Sequence, residues 1–121
     1  MNPFTVELYR DAYLSGNTAS GFVERVVSRA VMPLGSSVAI YATCKQMVGS
    51  LSRVLFQLEA SDDGSRWYTV GSALQVTGTV SLASAVVVVG AGWVRLRAYV
   101  PTGGAPMMQA VFDAGIVFSS Q

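Results

Sequence analysis

Glu59-Ala60-Ser61-Asp62-Asp63-Gly64-Ser65-Arg66-Trp67 is the stretch on which the fold turns. It joins Phe56-Gln57-Leu58 to Tyr68-Thr69-Val70, two short segments rich in strand formers. Two such runs joined by Asp-Asp-Gly predict a β-hairpin. Gly accepts the positive φ of a tight turn, and Asp carboxylates hydrogen-bond their own backbone. Asp62, Asp63 and Gly64 are therefore read as structural turn residues, and Trp67, just beyond them, as a packing anchor.

The same period-2 logic runs outward along the chain. Phe4, Val6 and Leu8 alternate with Thr5, Glu7 and Tyr9, which predicts a first strand, followed by a polar loop over Asp11 to Gly21. Phe22 to Val31 fits an amphipathic helix by spacing, but four Val in ten residues favour a strand, the assignment adopted here. Pro33 to Ser37, Gly49-Ser50 and Pro101 to Pro106 read as breaks, and Ser37 to Met47 as a strand. Leu74 to Leu82 alternates weakly around Gly78, and the run Ala85-Val86-Val87-Val88-Val89 suggests a strand covered on both faces.

Trp93 to Val100 and Met107 to Ser119 are expected to form a last hairpin. Val94, Leu96, Ala98 and Val100 share an inward face, as do Met108, Ala110, Phe112, Ala114, Ile116 and Phe118. The outward residues Trp93, Arg95, Arg97 and Tyr99, with Asp113 expected opposite Arg95 or Arg97, have the composition of a candidate interface. The sum is an all-β chain of about eight strands. It is read as one antiparallel β-sandwich domain over 1–121, jelly-roll-like in its spacing of turns.

Composition narrows the function. Apolar residues make up 51 % of the 121, yet charged residues only 12 %, about half of the ~25 % typical of a soluble domain. Such a surface implies burial against other subunits. The eight basic residues are seven scattered Arg and one Lys, with formal net charge +1. No basic run is present to capture nucleic acid, while Arg suits interfaces through its planar, weakly hydrated fork.

The chain has no His, which removes the commonest general base and metal ligand. Glu59, Asp62 and Asp63 crowd one turn and cannot flank a substrate from two walls of a cleft, nor do they have the ligand spacing of a Ca²⁺ loop. Gly90-Ala91-Gly92 and Gly103-Gly104 match neither a phosphate loop nor a dinucleotide fingerprint. The expectation is a non-enzymatic protein with no cofactor and no metal site. Cys44, the single cysteine, cannot form an internal disulfide and reads as a buried, inert thiol. Residues 1–11 lack the basic start and apolar core of a signal peptide. Ala83 to Val94 is too short an apolar window to span a bilayer, so no membrane partner is expected.

Leu58 to Trp67, followed by Trp93-Val94-Arg95-Leu96, resembles two elements of discoidin (factor V/VIII type C) domains: a Ser-x-Asp-Gly-x-x-Trp turn and a Tyr-Val-Arg-Leu/Ile strand. Those domains are jelly rolls that bind glycans or lipid head groups. The same hairpin resembles that of small β-sandwich structural proteins of tailed bacteriophages, which this shorter chain, without terminal cysteines, is more similar to. That resemblance implies a virion component assembled in the host cytoplasm, a capsid decoration or minor head or tail protein. Its partners would be copies of itself, as a homo-oligomer, and other virion proteins such as the major capsid protein. The alternative is a carbohydrate-binding module in which Trp67, Tyr68 and Trp93 stack on sugar rings.

Overall fold

The computed structural model describes residues 4–16, 23–24, 28–31, 36–48, 53–84, 86–90, 92–100 and 108–119. Ten strands form among them: β1 (Phe4–Gly16), β2 (Val23–Glu24), β3 (Ser28–Val31), β4 (Ser36–Val48), β5 (Val54–Ser61), β6 (Tyr68–Val76), β7 (Ser81–Ala83), β8 (Val87–Val89), β9 (Trp93–Val100) and β10 (Met108–Ser119). They build two antiparallel sheets. One runs β1-β10-β4-β7, with β8 also on β4; the other runs β2-β9-β5-β6, with β3 also on β9. Because β7 and β8 share one lane beside β4, and β2 and β3 share one beside β9, the ten strands fill eight lanes.

Numbered in chain order, these lanes lie 1-8-3-6 in one sheet and 2-7-4-5 in the other. First pairs with last, second with seventh, third with sixth and fourth with fifth. This is one long hairpin rolled over on itself, the jelly roll.

The core lies between the sheets and follows the sequence alternation. Val94, Leu96, Ala98 and Val100 of β9 face Ala110, Phe112, Ala114 and Ile116 of β10, all fully buried. Phe56 and Tyr9 both meet the Phe112 ring edge-on, at centroid distances of 5.1 and 5.6 Å, a favoured aromatic geometry. Tyr9 also donates its hydroxyl to the Leu96 carbonyl at 2.6 Å, a buried bond that ties one sheet to the other. Cys44 is buried, and desolvation pushes its thiol pKa up, away from reactivity.

Three expectations are corrected. β1 does not end before Asp11 but runs to Gly16. Its register against β10 slips between Glu7 and Tyr9 and again between Tyr9 and Ala12, where Asp11 takes φ 48°. These bulges break the alternation, which resumes with Ala12 and Leu14 buried. The valine run at 85–89 is not covered on both faces: β8 is an edge strand, and Val86 and Val88 are 66 % and 63 % exposed. Finally, β9 and β10 do not pair with each other. They lie in different sheets, β9 between β5 and the β2/β3 lane, β10 between β1 and β4.

The strand chosen for Phe22 to Val31 is found as β2 and β3, with Phe22 and 25–27 outside the described residues. Of the break expected over Pro33 to Ser37, 33–35 lie outside them while Ser36 and Ser37 already belong to β4; the breaks at 49–50 and 101–106 also lie outside.

Candidate functional site

The Asp-Asp-Gly turn is organised by Ser61. This residue is fully buried, and its hydroxyl donates to Asp63 Oδ1 (3.0 Å) while accepting from the Asp63 and Gly64 N–H groups (3.3 and 2.9 Å). Asp63 Oδ1 in turn accepts from the N–H groups of Ser65 and Arg66 at 2.8 and 2.9 Å. The Arg66 and Ser65 amides, then the Ser61 hydroxyl, hold the Asp63 carboxyl below the usual carboxylate range. Asp62 is exposed. Gly64 has φ +77°, and a Cβ there would stand 3.3 Å from the Trp93 ring. The turn thus lies against Trp93, and Gly64 meets both a conformational and a packing demand.

Beside the turn is the outer face of β9. Arg95 Nε donates to Glu59 Oε1 at 2.6 Å across the β5–β9 ladder, and the guanidinium lies over the Trp67 ring, 4.5 Å from its centroid. Arg97 lies likewise over Tyr99 at 4.7 Å. Trp67, Trp93, Arg95, Arg97 and Tyr99 are all half-buried, so each Arg spreads its stem and its charge over its own sheet. One face of Trp67 is covered by Arg95 and part of Trp93 by the Gly64 turn; Tyr68 stands exposed.

Gln57 completes this face. Its Nε2 donates to the Val70 and Gly71 carbonyls, both at 3.2 Å, and so fills the bulge where β6 slips against β5.

Asp113 is not part of this face, contrary to the sequence expectation. It sits on the other sheet, opposite Thr43, because β10 and β9 belong to different layers. There Asp113 Oδ1 accepts from the Asp11 N–H at 2.7 Å and Oδ2 pairs with Lys45 at 3.1 Å; Lys45 also bonds Asp11 Oδ1. The Asp11 amide, seconded by Lys45 against a burial penalty, lowers the Asp113 pKa. The two carboxylates raise that of Lys45. This cluster clamps the β1 bulge to β10 and β4. Among the described residues no group of three or more His, Cys, Asp or Glu is placed to hold a metal.

Sequence reasoning missed a further surface. No charged residue occurs between Arg66 and Arg95, and that span builds β6, β7 and β8. These are the edge lanes of the two sheets, and they lie on the same side of the sandwich, meeting where Gly71 approaches the Val87 side chain. Tyr68, Val80, Leu82, Val86 and Val88 are exposed there. Between the edges opens a cavity of about 310 Å³ lined mainly by Val38, Ile40, Leu58, Val70, Leu74 and Val87. At its rim β7 leaves β4 through Ser84, whose N–H donates to the Ile40 carbonyl and whose hydroxyl accepts from the Ile40 N–H, at 2.9 and 2.8 Å. The opposite side is charged, with Glu7, Arg10 and Asp11 exposed on β1. The charge-free span was the signal available in the sequence. It becomes meaningful once the topology brings its strands to one side.

Two solved structures show a likeness to this chain. The PBSX exported protein XepA superposes with a TM-score of 0.56 at 18 % identity, over 98 % of this chain and 36 % of that one. The chain therefore spans about a third of XepA, and the likeness is one of fold. TmCBM61, solved in complex with β-1,4-galactotriose, matches with a TM-score of 0.41 at 19 % identity, over 94 % of this chain and 67 % of that one. No protein-family model and no curated protein sequence matches the chain.

Proposed function

We propose that this protein is a non-enzymatic building block of a larger assembly, working through subunit packing. The observation that carries this reading is the concentration of its charge deficit on one side of the sandwich. The edges of both sheets there carry no charge, and large apolar side chains stand in water. Natural sheet edges are usually guarded by Lys, Pro or a covering element, and contiguous exposed apolar surface marks interaction sites. The Arg–aromatic face of β9, whose charges are already engaged within the sheet, offers a second contact surface of interface composition.

In its most specific form the assembly is a phage virion, with the chain as a capsid decoration or minor head or tail protein. The resemblance of the Ser61–Trp67 hairpin to that of small phage β-sandwich proteins supports that version. Many copies around a symmetry axis multiply weak contacts. Size-exclusion chromatography with light scattering, followed by binding to purified virions and their head and tail proteins, tests it. Self-association or capture by a virion protein is expected; a stable monomer that binds none of them overturns it.

A further inference from the structure

We infer that the uncharged side formed by β6, β7 and β8 is the seat of a second copy of this chain, related by a two-fold axis. The inference rests on the assembly reading above and names its surface and its partner. A two-fold interface brings a patch against itself, so any charged residue near the axis faces its own sign. The β6–β8 side avoids this, because every charged residue of the chain lies outside the span between Arg66 and Arg95. The opposite side, with Glu7, Arg10 and Asp11 along β1, does not.

The chemistry of the edges points the same way. β6 is nine residues long and, apart from its bulge against β5, carries none of the usual guards, neither charge nor proline; β7 and β8, three residues each, are equally uncharged. Such an edge presents unpaired backbone N–H and C=O groups to a strand of another chain, and a second copy brings the same uncharged edge. The Val86 and Val88 side chains project into solvent beside it, while the apolar cavity between the sheets offers room for side chains from a partner. A stable dimer needs about 800 Å² from each partner. That is about an eighth of the 6271 Å² accessible surface.

Analytical ultracentrifugation across a concentration series tests the inference on the full chain. The parent, the double variant Val86→Lys/Val88→Lys and a control, Tyr13→Lys, exposed on the opposite edge strand β1, are compared. The parent is expected to dimerise, the double variant to dissociate at least about a hundredfold more readily, and the control to match the parent. Circular dichroism confirms folding. A second measurement stands if the double variant misfolds: Val88→Cys is expected to form covalent dimers with a short bismaleimide, and Tyr13→Cys to form none. A parent that self-associates while Val86→Lys/Val88→Lys associates equally well overturns the edge assignment and leaves the assembly reading intact. A parent that is monomeric at every concentration overturns the second copy as occupant, and the assembly reading then stands or falls on virion-protein binding.

Discussion

Replacing Arg95 with Met tests whether the β9 outer face is held by charge. The substitution keeps much of the aliphatic stem over Trp67 and removes the guanidinium. Glu59 then loses its 2.6 Å partner while its side chain remains only 10 % exposed. Removing one member of a fully buried pair costs about 3–5 kcal/mol, because the other is left charged and desolvated. Arg95 is itself 27 % exposed, so water already reaches the pair, and a cost of about 2–3 kcal/mol is expected, including the lost cation–π contact. In urea the unfolding midpoint should fall by about 1–2 M with the slope unchanged. The companion Glu59→Gln/Arg95→Met should recover most of that loss, a coupling of about 1.5–2 kcal/mol in the double-mutant cycle. A single variant costing less than about 1 kcal/mol, or a double variant as unstable as the single, would refute the argument that burial makes this pair matter.

Further outcomes follow from other parts of the molecule. A Cβ at Gly115 would stand 2.2 Å from the Val6 carbonyl oxygen, so Gly115→Ala must push β1 away and should lower stability by about 3 kcal/mol or more by thermal melting. Tyr9→Phe removes the hydroxyl that joins the sheets through the Leu96 carbonyl and should cost about 1–2 kcal/mol, readable by denaturant titration. Asp63 and Asp113 have folded pKa values depressed below the ordinary 3.8. Their contribution is therefore present above that pH and lost as pH falls through the lower folded values. Lys45, raised above 10.5, contributes below that pH and loses its contribution as pH rises through the folded value. Melting temperature should fall on both flanks, and Asp113→Asn should flatten the acid one.

Much of the fold was legible where one side chain in two faces the core. Val94 to Val100 and Ala110 to Ala114 alternate strictly, and the inward face of each is buried as its pattern requires. The pattern failed at Asp11, because a bulge shifts the phase by a residue and makes a strand resemble a loop. It failed at Val86 to Val89 because an unbroken valine run does not say how many faces are covered. That Trp93, Arg95, Arg97 and Tyr99 share one face of one strand was legible from their spacing. Asp113 was misplaced because nearness in sequence is no guide to pairing in a jelly roll, where β9 and β10 cross from one sheet to the other. Lys45, the partner Asp113 does find, lies far away in the chain.

The nesting of the lanes also sets an order of events. Of the ten described strands, only β5 and β6 are both consecutive in sequence and paired with each other. Every other ladder must wait for distant segments to meet, and such topologies fold slowly, in about milliseconds to seconds. The Ser61–Asp63–Gly64 turn is thus the closed tip of the whole rolled hairpin, from which pairing can zip outward, third lane to sixth, second to seventh, first to last. Weakening it with Ser61→Ala should slow refolding in stopped-flow experiments more than it speeds unfolding. The few residues that identify the fold on paper are then also those with which the chain begins to make it.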